Sequence, residues 1–299
     1  MEYIRTFTKE FDTGDRLELE VETRAGSLTV RGEDTQRARV EVVARLWADD
    51  AAEADAQADL IERGITHGGR RLTIKAPTLL RAGPFLLFGR GPRIDYQVTV
   101  PRATEATITN RSGRVEVERL TGPLSLESRS GRVSVREIDA DVKIASRSGS
   151  VQVEAIAGAL SLESRSGAVR IRGCDQDADV VVRSGAVQVE DVGGDLKLDS
   201  RSGVVGISEV RGGVAVRAAS GSVRYGGPVG GPFDIDVTSG SVRLLADPDS
   251  RFFLDAESAH GSVQSDLPLR RDSQRGGAVE AGPTVRIRTR SGSIHVGVR

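Results

Sequence analysis

The sequence predicts an all-β fold, a β-solenoid wound in stacked coils of 18 residues, and three observations predict it. Glycine follows serine at Gly113, Gly131, Gly149, Gly167, Gly185, Gly203 and Gly221, every interval being 18. Apolar residues keep step with these glycines. Taking the glycine as position 0, position +2 holds Val115, Val133, Val151, Val169, Val187, Val205 and Val223, and further apolar columns stand at +4, +7, +11 and +13. A second glycine marks the middle of the unit at Gly122, Gly158, Gly194 and Gly212. Alternation with period two is the pattern of half-buried strands, and β-branched residues suit them. Each unit therefore reads as two short strands, each begun by a turn where glycine accepts a positive φ without a Cβ clash. One such unit cannot bury its own apolar face, whereas identical stacked units can. Five apolar positions per coil, each contributing about 1.5–3 kcal/mol on burial before entropy is subtracted, make a core without aromatics plausible.

The elements follow in order along one solenoid domain spanning 1–299. "RAGSLTV" places Gly26 in the role of the repeat glycine, and the next, Gly113, is 87 residues on. An insertion over 37–100 fills the gap. "RARVEVVARLW" reads as a strand over Arg37–Trp47, and "DDAAEADAQADLIERG" reads as a capped helix. Asp stands at its start, Glu53 in its first turn and Gly64 at its end. "RRLTIKAP" and "RIDYQVTVP" read as strands, and the helix is expected over an end of the solenoid, where it would shield open strand edges. "SDLPLRRDSQRGGAVEAGP" reads as a surface loop over 265–283. "TVRIRTRSGSIHVGVR" resumes the pattern as the final coil.

Composition excludes several classes. Formal net charge is −1 and aromatics make up 4% of 299 residues, which disfavours an aromatic-lined sugar groove. One cysteine, Cys174, rules out an internal disulfide framework or a cysteine metal cluster, and its place in an apolar column reads as a buried structural thiol. The sequence shows no signal-peptide core and no run of 18 apolar residues, which points to a cytoplasmic or membrane-peripheral location. No recurrent turn aspartate accompanies the repeat glycines, so neither structural calcium nor any other cofactor is expected.

Two groups of residues are candidates for binding. Arg111, Arg129, Arg147, Arg165, Arg183 and Arg201 stand two before the repeat glycine. Stacked in a column they would either hold a polyanion or form a ladder partly paired with Glu127, Glu163 and Asp199. Inside the insertion, Leu79, Leu80, Phe85, Leu86, Leu87 and Phe88 are flanked by Arg81, Arg90 and Arg93, as in a peripheral membrane contact or a partner-binding loop. A serine follows each arginine, at −1, and Ser128, Ser146, Ser164 and Ser200 precede four of them, at −3; strand parity and the nine-residue half-repeat disagree on which column faces inward. A serine nucleophile needs a base and an orienting group. The three histidines, His67, His260 and His295, lie outside the repeated columns, and no catalytic or metal-binding residue is expected.

Recurrent "SGxVxV" and "GxLxL" units, after a lead-in ending "YQVTVPRATEATITNRSGRVEV", resemble a bacterial adhesin-like β-strand-repeat family, a domain of unknown function. The resemblance implies a β-helical fold, adhesion, and, from some relatives, a tie to cell-envelope stress; it brings no catalytic residues. The function expected is a non-enzymatic scaffold or binding protein, linked to the envelope. The first alternative is an intracellular polyanion or nucleic-acid binder, and the second a polysaccharide-active enzyme. The partners expected are a protein or polymeric ligand, a peripheral membrane contact, and a second copy paired through open strand edges.

Overall fold

The structure, a computed structural model, describes residues 1–77, 92–267 and 282–299. It divides into two compact units, Met1–Gly149 and Ser150–Arg299. The chain is a β-solenoid of parallel coils. The elements of the first unit are β1 (Glu2–Asp12), β2 (Arg16–Thr23), β3 (Ser27–Glu33), β4 (Arg37–Trp47), α1 (Ala51–Arg63), β5 (Ile65–Gly68), β6 (Arg71–Lys75), β7 (Arg93–Pro101), β8 (Ala103–Leu120) and β9 (Leu124–Ile138). The division falls inside β10 (Val142–Ile156). The second unit continues with β11 (Leu160–Cys174), β12 (Ala178–Val192), β13 (Leu196–Val210), β14 (Val214–Gly227), β15 (Phe233–Ala246), β16 (Phe253–His260), β17 (Val263–Ser265), β18 (Thr284–Ser291) and β19 (Ile294–Val298).

A regular coil is one strand of 15 residues rather than the two short ones expected, because pairing resumes on both sides of each bend. β11 pairs with β12, β12 with β13 and β13 with β14, all parallel and all displaced by one repeat. Val169 lies opposite Val187, and Val187 opposite Val205. In the first unit Val115 lies opposite Val133 in the same way.

Two bends per coil turn the inward face. At position 0 the glycine has φ of 123° at Gly113 and 120° at Gly131. A Cβ on Gly131 would stand 1.8 Å from the carbonyl oxygen of Gly113. Glycine is thus demanded twice, by conformation and by the close stacking of one corner on the next. The second bend is at +6, where Arg119, Glu137, Asp191 and Glu209 take φ of 54–62°. It acts as a bulge, so inward residues fall at +2, +4 and then +7, as in Val133, Val135 and Ile138. The mid-unit glycines have a different reason from the one expected. No positive φ is recorded at Gly122, Gly194 or Gly212, but a Cβ there would meet the preceding coil within 2.3–2.5 Å.

Near the start of the first unit, stacking departs from chain order. β2 and β3 pair on one side with β8 and on the other with β6 and β7, so the coil containing Gly26 is sandwiched. Beyond β6 lies antiparallel β5; beyond β7 lies antiparallel β4, and beyond β4 antiparallel β1. The predicted strand Arg37–Trp47 is found at those bounds, whereas β1 and β5 were not anticipated. The helix starts at Asp50, whose carboxylate accepts from the Glu53 N–H. It buries Ala54 and Ile61 and packs on β1, β4 and β5, with Arg5 paired to Asp55 at 2.6 Å. It therefore covers the antiparallel edge beyond the coils.

In the last layers of the second unit the order is permuted as well. β15 pairs with β18 and β19, and these pair with β16 and β17. The stretch expected as the final coil is therefore the penultimate layer, inserted between two earlier segments. Core size explains the order. The inserted layer turns Val285, Ile287, Ile294 and Val296 inward, all at most 1% exposed. The outermost layer offers Leu254, then only Ala256, Ser258, Val263 and Ser265. The coil with the larger apolar set takes the site with neighbours on both sides, where burial is worth more.

Candidate anion-binding site

The tetrapeptide Ser-Arg-Ser-Gly is explained position by position. The serine at −3 faces the interior: Ser128, Ser146, Ser164 and Ser200 are 5–7% exposed. In the first unit this inner file is bonded, with Thr23 Oγ1 donating to Asn110 Oδ1 at 2.9 Å and Asn110 Nδ2 donating to Ser128 Oγ at 3.1 Å. In the second unit the same file runs Ser164, Val182, Ser200, Ala218 and Val237, and the hydroxyls of Ser164 and Ser200 have no partner among the described residues. The file accepts an apolar residue as readily as a hydroxyl.

The arginine at −2 points outward, and strand pairing skips it: Ser164 lies opposite Val182 and Ser166 opposite Ser184, with no bridge between. The serine at −1 compensates. Ser130 Oγ donates to the Arg111 carbonyl and Ser148 Oγ to the Arg129 carbonyl, both at 3.2 Å. Ser184 donates likewise to Arg165 and Ser220 to Arg201. Each of these hydroxyls bonds the backbone one coil back, where the ladder lapses. They act as structural donors.

All six predicted arginines are exposed. In the first unit Arg111, Arg129 and Arg147 occupy the same register position of consecutive coils. In the second unit Arg165, Arg183 and Arg201 do so. Sheet spacing sets consecutive members about 4.8 Å apart at the backbone. Glu127, Glu163 and Asp199, the carboxylates expected to pair with them, make no ion pair among the described residues. Among the described residues, Arg111, Arg129, Arg165, Arg183 and Arg201 have no side-chain ion pair at all. The file has one more member, outside the 18-residue spacing. Arg24 is two before Gly26, one coil from Arg111, since Thr23 lies opposite Asn110. The signal was "RAG" in place of "RSG".

Position +5 behaves differently. There the file reads Arg31, Glu118 and Arg136 in the first unit, and Glu118 sits between both arginines, Arg31 Nε at 2.5 Å and Arg136 Nη2 at 3.5 Å. In the second unit Arg172 pairs with Glu190 at 3.2 Å. Signs alternate along these stretches, and each of these five charges meets its opposite one coil away.

The other predicted features are soon placed. Cys174 is buried and its thiol lies 3.5 Å from the Gln176 carbonyl oxygen; burial pushes its pKa up. Tyr96 is buried in β7, its hydroxyl has no partner among the described residues, and burial pushes it up to about 12. His67 lies against the Phe11 ring, at 5.2 Å. His295 lies opposite Gln264, and His260 opposite Ser291. Among the described residues no group of three or more His, Cys, Asp or Glu could hold a metal ion, and no helix is long and apolar enough to cross a membrane. Leu79, Leu80, Phe85, Leu86, Leu87 and Phe88 lie outside the described residues, as does most of the loop expected over 265–283.

The family profile Toastrack DUF4097 matches residues 16–297, nearly the whole solenoid. The chain belongs to the Toastrack family. Two solved structures are similar to this Toastrack chain. A candidate cell-adhesion protein from Clostridium sporogenes shares 10% identity, covering 99% of this chain and all of that one, with a TM-score of 0.26. A candidate adhesin from Bacteroides fragilis shares 10% identity over 98% of this chain and 97% of that one, with a TM-score of 0.34. A search of curated proteins finds none that matches.

Proposed function

We propose that this Toastrack chain is a non-enzymatic, adhesin-like binding scaffold that engages a multivalent anionic partner along its arginine file. One observation carries the reading: two files with the same repeat geometry treat charge in opposite ways. At +5 the signs alternate and the charges pair. At −2 arginine follows arginine, though like charges about 4.8 Å apart repel by up to about 1 kcal/mol per neighbouring pair in water before screening. A stable fold does not need that repulsion, since the +5 file shows charges at the same coil spacing neutralised. A partner carrying repeated phosphates or carboxylates would neutralise it, and guanidinium groups bind such anions through paired hydrogen bonds. The bonding of the −1 serines to backbone carbonyls supports a non-enzymatic role. The resemblance in the repeats supports an envelope setting.

The test is binding of inorganic polyphosphate and of a single-stranded oligonucleotide across a salt series. We compare wild type with a variant carrying Arg111→Gln, Arg129→Gln, Arg165→Gln and Arg183→Gln. Binding is expected to weaken with salt, the slope falling by about 0.7 for each arginine removed. Equal binding by the variant, or none by wild type at low salt, overturns the reading. A strong preference for the oligonucleotide moves it to nucleic acid.

A further inference from the structure

In the second unit the −2 arginine file lapses after Arg201, and the next two coils place Ala219 and Thr238 there. Positive charge reappears across the glycine corner, at +3. Gly206 lies opposite Arg224, Arg224 opposite Arg243, and Arg243 opposite His295, on β13, β14, β15 and β19. Arg224 and Arg243 are exposed and His295 is half-buried. The flanking files of these three layers carry no charge. At +1 stand Ser222, Ser241 and Ser293, and at +5 stand Gly226, Leu245 and Gly297. Sheet spacing therefore sets two guanidinium groups and an imidazole about 4.8 Å apart at the backbone, on a face where the same three layers offer no carboxylate.

In earlier coils of the same unit this face is satisfied internally. Gln152 Nε2 donates to Glu154 Oε1 at 2.7 Å, Arg170 Nε donates to Gln188 Oε1 at 3.4 Å, and Arg172 pairs with Glu190 at 3.2 Å. The side chains of Arg224, Arg243 and His295 have no hydrogen-bond or ion-pair partner among the described residues. The carboxylates at the adjoining bend, Glu209 and Asp247, are held by Arg299 at 2.6 and 3.7 Å. Beyond His295 the file continues with Gln264, and Asp266 follows two residues on. A Cβ on Gly297 would meet Asp266 Oδ2 at 2.9 Å and stand 3.6 Å from His295 Nε2. Glycine there leaves the imidazole and this carboxylate a shared space at the outer end of the file.

We infer that Arg224, Arg243 and His295 form a discrete site for a single phosphate group. Oxygen count argues for phosphate over carboxylate. A carboxylate offers two oxygens, which one arginine satisfies with paired hydrogen bonds. A phosphate ester offers three terminal oxygens and close to two charges. The file answers with two guanidinium forks and an imidazole N–H, a donor that histidine keeps in either charge state. Asp266 bounds the site, because a long polyanion running on past His295 would meet its carboxylate. The site stands apart from the reading of the −2 file, since Arg165, Arg183 and Arg201 belong to earlier coils.

The experiment is titration of the whole protein with pyrophosphate, followed at the imidazole C–H resonances by NMR. The chain has three histidines, and His295→Gln assigns the signal of interest. Pyrophosphate is expected to shift the His295 signal and to leave those of His67 and His260 in place. Glucose 1-phosphate in a parallel titration distinguishes a phosphate ester from the free inorganic anion, and acetate should leave the signal unmoved. Arg224→Gln with Arg243→Gln is expected to weaken binding on the order of a hundredfold. Arg224→Lys with Arg243→Lys keeps the charge, guards against a folding defect, and is expected to bind with intermediate affinity. Arg165→Gln, Arg183→Gln and Arg201→Gln together should leave the His295 shift nearly unchanged. An unmoved His295 signal in wild type overturns the inference, as does an undiminished shift in the double Gln variant or an equal shift with acetate. Failure of polyphosphate binding at the −2 file would leave this site standing, and failure of the His295 response would leave the −2 reading standing.

Discussion

Two files of side chains run along the same coils with the same spacing, and they solve opposite problems. The file at +5 places Glu118 between Arg31 and Arg136, so its charges are satisfied within the fold. The file at −2 repeats arginine and leaves Arg111 and Arg129 without an ion pair among the described residues. Parallel stacking imposes neither outcome. It fixes only that whatever stands at one position of a coil meets its counterpart in the next. A solenoid can thus keep one face electrostatically closed and another open without any change in backbone.

The largest effect comes from breaking the geometry that both files share. Gly131→Ala would place a methyl group 1.8 Å from the Gly113 carbonyl, at a φ of 120°. We expect a loss above about 4 kcal/mol, read as a collapse of the urea midpoint. An unchanged midpoint would contradict the stacked corner.

Next come single charges, with opposite signs in the two files. Glu118→Gln leaves Arg31 facing Arg136 with no carboxylate between them, and stability should fall by about 1 kcal/mol, less at high salt. Arg129→Glu inserts a carboxylate between Arg111 and Arg147. Stability should rise by roughly 0.5 kcal/mol while polyphosphate binding weakens. If denaturation shows Arg129→Glu to be destabilising, the arginine file is a structural ladder, and the contrast between the files disappears.

The smallest effect lies just inside the arginine corner. Ser164→Ala removes a buried hydroxyl that has no partner among the described residues, in a file where Val182 and Ala218 already stand. Thermal unfolding should show a change within about 0.5 kcal/mol, or a gain. A large loss would mean that the hydroxyl is bonded in solution.

The sequence revealed the coil because glycine and valine recur with it, and it revealed β4 and the helix because alternation and caps are local signals. It did not reveal the bend at +6, where Arg119, Glu137, Asp191 and Glu209 adopt a conformation that their side chains do not advertise. That bend also resolves which serine faces inward, since it accounts for the phase change that had made parity ambiguous. Nor could the order of the last coils be read. The segments around Gly240, Gly261 and Gly292 share one register, so any order would pair; the relative bulk of Val285, Ile287, Ala256 and Ser258 decides. For the candidate site, the column was legible but its lack of ion pairs was not, because pairing depends on reach across coils. Arg24 was missed because its motif carries alanine in place of serine.

The permuted stacking at the far end of the second unit sets an order of events during synthesis. The ribosome releases β16 and β17 before the layer that must lie beneath them, so that pair cannot take its final seat until Thr284–Val298 has emerged. A chain halted after residue 267 would lack an inner course while keeping its outer one, and would expose two raw edges instead of one. Emergence of Thr284–Val298 is thereby written into the fold as a condition for sealing these layers.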